Sequence, residues 1–426
     1  MKKIVGMSLL AAVLLGSNAS AIDNVKVNGD AKLYYHTDNQ DSGDLFNQSS
    51  SAADTALRLG ISGDLLKNVA FGITGYAIST LGLENSMVAS AWSSAHTVSN
   101  PGGSADVSDE AWLGELWIAT TFGKTTFKAG RMLLDSPLSF SETWSIAPNS
   151  YEAFVLLNQD IPDTTVVLVY AGHSNGVNSV GYTNPIVANN TSGNGLDGVL
   201  ADGAKFGTHG AQGADVAGII NNSYKPLTAQ AWYWNAEKAA DAYWLQGDLA
   251  CEWVKGLKMG AQYAYISPKG VFEGVHDSEG LALMLGYNGI ENLKVSAAYS
   301  DIDKNSVFKI ANLATNNTVS AQSKLYTEAF WNRGYVGSAD AQSWKMSAEY
   351  DAGIAELGAS YTNVNNAIFD TLATPRIGVD MQEIALTVKK SFGSLDTTLV
   401  YISTDADDQN NGSQSNALQV YLTLNF

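Results

Sequence analysis

The feature that most constrains this chain is a two-residue alternation of apolar and polar side chains that does not lengthen into a membrane helix. The last ten residues, ALQVYLTLNF, put Leu418, Val420, Leu422, Leu424 and Phe426 on one face of an extended strand and Gln419, Tyr421, Thr423 and Asn425 on the other, because strand side chains point alternately to opposite faces. One face asks for hydrocarbon and the other for water. Taken alone, the pattern fits a half-buried strand of a soluble sheet as well as a strand of a membrane barrel. The alternation recurs from Val25 to the C-terminus in segments of about ten residues, the length of a tilted membrane-spanning strand.

Residues 1–21, MKKIVGMSLLAAVLLGSNASA, read as a secretory signal peptide: Lys2 and Lys3, an apolar run from Ile4 to Leu15, and a small-x-small ending at Ala19-Ser20-Ala21. The run is too short to cross a bilayer as a helix, and beyond it no stretch approaches the ~20 apolar residues that a spanning helix needs. Residues 22–426 are therefore expected to form one outer-membrane barrel domain. Because alternation begins at Val25, no N-terminal plug domain is expected, which argues against a gated, energy-coupled transporter.

Composition agrees with this reading. Charged residues are 15% of the chain, against roughly 25% in ordinary globular domains, as suits a wall whose outer face carries no charge. The 40 glycines and 8 prolines fit many strands and many turns. The formal charge is −18, or −20 without Lys2 and Lys3, which excludes nucleic-acid binding by phosphate neutralisation and favours cations. The single cysteine, Cys251, allows no intrachain disulfide.

Connections of two kinds alternate along the chain. Short turns at Phe122-Gly123-Lys124, Ile161-Pro162-Asp163, Lys255-Gly256, Asn288-Gly289-Ile290 and Phe392-Gly393-Ser394 are interleaved with long stretches rich in Ser, Asn, Asp and Gly. Short periplasmic turns and long extracellular loops are the build of outer-membrane barrels. The prediction is an all-β fold, a transmembrane antiparallel β-barrel of about 18 strands, the first near 25–35 and the last at 416–426. Sixteen remains an alternative, because the alternation is weakest at 213–222. The Gly/Asn-rich stretch 175–213 is read as an external loop.

The segment Glu115–Gly172, and within it Gly130-Arg131, Ser139-Phe140-Ser141-Glu142-Thr143-Trp144-Ser145 and Asn158-Gln159-Asp160-Ile161-Pro162-Asp163-Thr164, resembles the major outer-membrane porins of epsilonproteobacteria, relatives of the OprD-type porins. The terminal Phe426 is similar to the end signal read by the barrel assembly machinery. The resemblance implies an 18-stranded porin, usually a homotrimer, that passes small hydrophilic solutes.

A porin works through pore width and lumen charge, so the candidate site is a set of inward side chains. With Leu57, Leu59 and Ile61 outward, Arg58 faces inward. With Trp112, Leu116 and Ile118 outward, Glu115 and Trp117 face inward. With Leu245, Leu249 and Trp253 outward, Gln246, Asp248 and Glu252 line the pore and Cys251 lies on the apolar face. Lys128, Lys258, Lys294, Lys345, Glu349, Glu383 and Lys389 are placed inward by the same logic, since a charge facing lipid costs up to ~2–4 kcal/mol at the midplane. The stretch 132–150 follows the fifth strand, where general porins fold a loop into the barrel; Asp135 and Glu142 opposite Arg131 would set a transverse field there. The alternative is that Arg131 pairs with a carboxylate at the rim.

Aromatic residues near strand ends (Tyr34, Tyr35, Tyr76, Trp232, Trp234, Tyr243, Trp244, Tyr299, Tyr361, Tyr401) are read as interface girdles rather than a sugar-stacking row in the pore. The run Asp405 to Gly412 lacks EF-hand spacing and is read as a solvated loop. His36, His96, His173, His209 and His276 fall in loops or at strand ends and form no catalytic motif, so an enzyme is not expected, and neither is a cofactor or metal. The expected function is passive diffusion of ions and small hydrophilic solutes with a cation preference, with outer-membrane lipid, lipopolysaccharide and the assembly machinery as partners. A surface adhesin or structural barrel, and more distantly an outer-membrane hydrolase, are the alternatives.

Overall fold

The computed structural model describes residues 22–40, 43–79, 81, 110–144, 146–175, 206–208, 213–237, 239–313, 322–369 and 375–426. The strands are β1 (Asp23–Asp38), β2 (Ser51–Leu66), β3 (Val69–Ser79), β4 (Glu110–Phe122), β5 (Thr125–Met132), β6 (Tyr151–Asn158), β7 (Thr164–Ser174), β8 (Gly207–Thr208), β9 (Ala214–Asn221), β10 (Leu227–Ala236), β11 (Ala240–Ala250), β12 (Leu257–Pro268), β13 (Ser278–Ile290), β14 (Leu293–Ile302), β15 (Gln342–Asp351), β16 (Glu356–Ala367), β17 (Val379–Phe392), β18 (Leu395–Ala406) and β19 (Ser415–Asn425). The two-residue β8 pairs only with the end of β7, while β7 pairs along its length with β9. The wall therefore has eighteen strands, each antiparallel to its sequence neighbour, and β1 closes it against β19. Observing β9 over the segment of weakest alternation removes the 16-strand alternative.

Closure follows from the sequence pattern. An open edge in hydrocarbon would leave backbone N–H and C=O groups unpaired, so only a closed barrel can cross with strands. The outward side chains Leu57, Leu59, Ile118, Leu168, Leu245, Leu283 and Leu386 are 38–51% exposed, an apolar belt that only lipid can cover. This closed barrel and its belt place the chain in the bacterial outer membrane. No helix among the described residues is long and apolar enough to span a membrane.

The periplasmic turns are tight because a residue in each of seven takes the left-handed conformation: Asn68, Gly123, Asp163, Gly256, Asn292, Gly353 and Gly393 have φ between 53° and 89°, which Gly and Asn tolerate best. The turn expected at Asn288-Gly289-Ile290 lies further on, at Glu291-Asn292; β13 runs through Ile290 with a register shift after Tyr287. Likewise β11 ends at Ala250, so Cys251, Glu252 and Trp253 belong to a turn rather than to the wall. Glu252 is exposed there and lines no pore, and Trp253 is 95% exposed.

The C-terminus closes the ring. Phe426 exchanges backbone hydrogen bonds with Gly29 in both directions, at 2.8 and 3.0 Å, and its ring lies where a Cβ on residue 29 would stand. Gly29 is thus the notch that seats the final aromatic.

Candidate functional site

The side chains inside the barrel meet two segments that fold inward. The first, loop 3 (residues 133–150), follows β5. Its Ile146 and Ala147 are buried against Tyr34, Ala56, Tyr76, Ile78 and Trp112 on the inner face of β1–β4. Leu138 is buried among Trp232, Trp234 and Trp244 from β10 and β11. The Tyr151 hydroxyl donates to the Phe140 carbonyl at 2.9 Å. Loop 3 spans the lumen from one wall to the other.

The second inward segment, loop 7 (303–313 and 322–341 among the described residues), is one of the long connections, which as a class are expected outside the barrel. It is held by wall charges. Glu383 of β17, 1% exposed, accepts the backbone N–H groups of Phe330, Trp331 and Asn332 at 2.7–3.1 Å. Asp248 of β11 accepts the Tyr326 hydroxyl at 2.6 Å, Gln262 of β12 accepts the Tyr326 N–H at 3.0 Å, and Lys345 of β15 donates to the Glu328 carbonyl at 2.6 Å. Two or three backbone N–H bonds to one carboxylate make a strong, charge-assisted anchor.

The two loops join across the lumen. Leu313 N–H donates to the Leu138 carbonyl at 2.8 Å. The Asn312 side chain accepts from Phe140 N–H at 3.2 Å and donates to the Phe140 carbonyl at 2.8 Å and to Glu142 Oε1 at 3.1 Å. Lys324 pairs with Asp135 at 2.7 Å, and the Arg333 guanidinium lies 4.4 Å from the Trp144 ring centroid. Burial pushes the Glu328 carboxyl up to about 8 and the Lys309 ammonium down to about 7, each held within loop 7 away from water.

These contacts fix where each expected site residue lies. Arg58 faces the lumen, bound to Asp30 at 2.5 Å and Asn28 at 3.0 Å. Glu115 accepts from Thr74 at 3.1 Å, and Lys128 lies over the Trp117 ring at 4.1 Å. Glu349 faces inward and pairs with Lys294 at 3.2 Å, both about 70% exposed. Lys258 and Lys389 share this turn-proximal half. Asp248 and Glu383 face inward but are occupied in holding loop 7, and Glu142 is 5% exposed between Asn149, Trp144 and Asn312.

Arg131 is elsewhere. It stands opposite Leu116 on β4 and Glu152 on β6, in phase with the outward Phe154, and binds Glu152 at 2.8 Å and the Leu113 carbonyl at 3.0 Å. The expected grouping of Arg131 with Asp135 and Glu142 is therefore not formed, and the rim pairing is. The basic partners of loop 3 are Lys324 and Arg333 of loop 7.

Trp112 was also expected outward. A register shift at Thr74/Gly75 opposite Leu113-Gly114 inverts the phase of β4, and Trp112 is buried inside, stacked on Tyr76 at 5.6 Å. A bulge adds one residue to one strand and so flips every side chain beyond it. The aromatic residues divide the same way: Tyr233, Tyr243 and Tyr265 form an outer row, as Tyr299 and Trp344 do. Tyr34, Trp232, Trp234 and Trp244 instead are buried under the loops.

Among the described residues, no group of His, Cys, Asp and Glu side chains has the arrangement of a metal site. No protein-family model matches the chain, and no curated protein matches it. Solved structures do. Pseudomonas aeruginosa OccK3 (OpdO) superposes with a TM-score of 0.70 at 14% identity over 97% of this chain and 98% of that one. P. aeruginosa OccK8 (OprE) gives 0.69 at 16% identity, over 96% and 100%. The P. aeruginosa outer membrane protein OpdK, solved with vanillate, gives 0.69 at 12% identity, over 95% and 98%. At these identities the likeness establishes the fold, and the 18-stranded barrel expected from the resemblance to OprD-type porins is the fold found.

Proposed function

We propose that the protein is an outer-membrane porin, a channel for passive diffusion of ions and small hydrophilic solutes and not an enzyme. The observation that carries this is the combination of an apolar outer belt with a charged lumen narrowed by two inward loops. Water and polar solutes need a lined path through hydrocarbon, and selectivity then rests on the width and charge of the narrowest part.

The lining mixes signs: Arg58, Lys128, Lys294 and Lys389 face the same lumen as Asp30, Glu115 and Glu349. A cation preference therefore belongs to the acidic loops at the mouth, which carry much of the excess negative charge and concentrate cations there, and it is weak. Secretion through residues 1–21, which lie outside the described residues, assembly through Phe426, a homotrimeric state and a place among the epsilonproteobacterial major porins complete the reading.

Single-channel recording in a planar bilayer with a KCl gradient tests it. Stepwise openings with a small reversal potential of cation sign are expected. Folded, inserted protein that conducts nothing would leave an adhesin or a sealed structural barrel.

A further inference from the structure

On the outer face, one residue from the long-loop ends of β5, β6 and β7, three polar side chains meet: Arg131, Glu152 and His173. Glu152 accepts Arg131 Nε at 2.8 Å on one oxygen and faces His173 Nδ1 at 3.1 Å on the other. Phe206 stacks on the guanidinium, 4.0 Å from its ring centroid. The three side chains are 31%, 34% and 47% exposed. Glu152 thereby fixes both side chains, and Arg131 Nη2 and His173 Nε2 have no partner among the described residues.

Directly beneath, on the same outer face, is an apolar groove. Phe154 stands two positions below Glu152, its ladder partner Tyr170 lies three below His173 across the register shift at Gly172, and Phe127, Leu156 and Leu168 lie two further. Ala217 forms the low floor between Leu168 and Tyr233. Two strand residues advance about 7 Å, so a polar pair at the rim sits roughly one headgroup's height above a channel for a hydrocarbon chain. Polar side chains facing lipid are costly at depth and cheap at the interface, and Tyr170 and Tyr233 mark that interface.

We propose that this cluster and groove bind one phosphorylated, acylated glycolipid of the outer leaflet, its phosphate on Arg131 and His173 and an acyl chain along Ala217. The guanidinium, permanently charged and with Nη2 still free, suits a phosphate oxygen, and the cluster lies at the long-loop rim, which faces the leaflet where such lipids reside. The inference rests on the outer-membrane placement in the proposed function but not on conduction.

Native mass spectrometry of the detergent-solubilised full chain, with added lipid A, dephosphorylated lipid A or phosphatidylglycerol, tests it. The wild type is expected to retain one lipid A per barrel, with at least tenfold less retention of the dephosphorylated form and of phosphatidylglycerol. Arg131→Ala, His173→Ala and the groove-filling Ala217→Phe are each expected to weaken retention at least severalfold, with heat-modifiable gel mobility confirming a folded barrel. Equal retention by wild type and the folded variants would overturn the proposal. So would equal binding of dephosphorylated lipid A or phosphatidylglycerol, or an oligomer that dissociates on Arg131→Ala, which would make this face a subunit contact. Conductance measured on the same samples separates the two readings: a conducting barrel without bound lipid sinks this site alone, and a lipid-loaded barrel that never conducts sinks the porin.

Discussion

Loop 3 and loop 7 both narrow the lumen, yet they are seated by different forces. Loop 3 lies on an apolar bed, Ile146 and Ala147 against Tyr34, Tyr76 and Trp112, with neutral hydrogen bonds from Tyr151 and Asn149. Loop 7 hangs from charged wall groups, above all Glu383 with its three backbone donors and Lys345 on the Glu328 carbonyl. An apolar seat is insensitive to pH and salt; a seat of buried charge is specific in geometry but depends on protonation and fails when one partner is removed. The difference implies that loop 3 sets the basic aperture and that loop 7 is the adjustable part.

The strongest way to break this contrast is Glu383→Ala. It strands three backbone N–H groups near the lumen, at a cost of about 3 kcal/mol or more given ~1–3 kcal/mol per unsatisfied buried donor. Single-channel conductance is expected to rise and become noisy as loop 7 leaves the wall, while Ile146→Ala in loop 3 shifts the mean with little added noise. If both variants give the same quiet increase, the seats do not differ. Asn312→Ala removes the hinge of the seam, leaving Phe140 N–H without its partner while the Phe140 carbonyl keeps the Tyr151 hydroxyl, at a cost of about 1–3 kcal/mol; a smaller conductance increase is expected, visible also as faster hydrogen exchange at residues 138–142.

Protonation sharpens the contrast next. With Glu328 pushed up to about 8, against an ordinary carboxyl near ~4.3 in a released loop, the seated state binds more protons between those values. Its advantage therefore falls as pH rises through that window. Lys309, pushed down to about 7, acts in the opposite sense, but only above about pH 7, so the range from pH 5 to 7 is free of it. Acidification across that range is expected to quiet loop 7 fluctuations, and Glu328→Gln to reduce that response, the remainder belonging to Asp340, which burial also raises; an unchanged response in the variant would reject Glu328 as a source.

The smallest effect belongs to Asp135→Asn. Its pair with Lys324 is largely exposed, worth roughly 0–1 kcal/mol and screened by salt. A slight fall in cation selectivity is expected, seen in the reversal potential at 0.1 M salt and gone at 1 M. A large conductance change instead would mean that the ion pair holds the seam.

Much of this was legible in residues 22–426. The rhythm of β1–β3 gave the outward Leu57, Leu59 and Ile61 and the inward Arg58 directly, because period two is fixed by strand geometry. Turn residues such as Asn68, Gly123 and Gly393 marked the short rim. Trp112 escaped because one extra residue near Gly114 reverses the phase, a local deviation that left no compositional mark. Arg131, three residues after the inward Lys128 in an unbroken register, is outward by plain alternation; its place beside loop 3 in the chain, and not the strand period, suggested the inward role. Loop 7 escaped for another reason: a polar segment satisfied by buried wall charges has the composition of a solvated loop. Glu383, next to the apolar Ile384 and facing the same lumen as Met381 and Ala385, hinted only that a carboxylate deep in a strand must have partners.

The sequence by itself determined a closed barrel, its inside and outside, its strand number to within one hairpin and the membrane it belongs in, since all of these rest on alternation and on the need to pair every backbone group in hydrocarbon. Only the tertiary structure decided which inward charges stay open to the lumen and which hold loops, that Arg131 and Glu152 pair over a groove, and that loop 7 closes against loop 3. Those depend on contacts between residues such as Phe140 and Asn312 or Trp331 and Glu383, far apart in the chain, whose pairing no local pattern encodes.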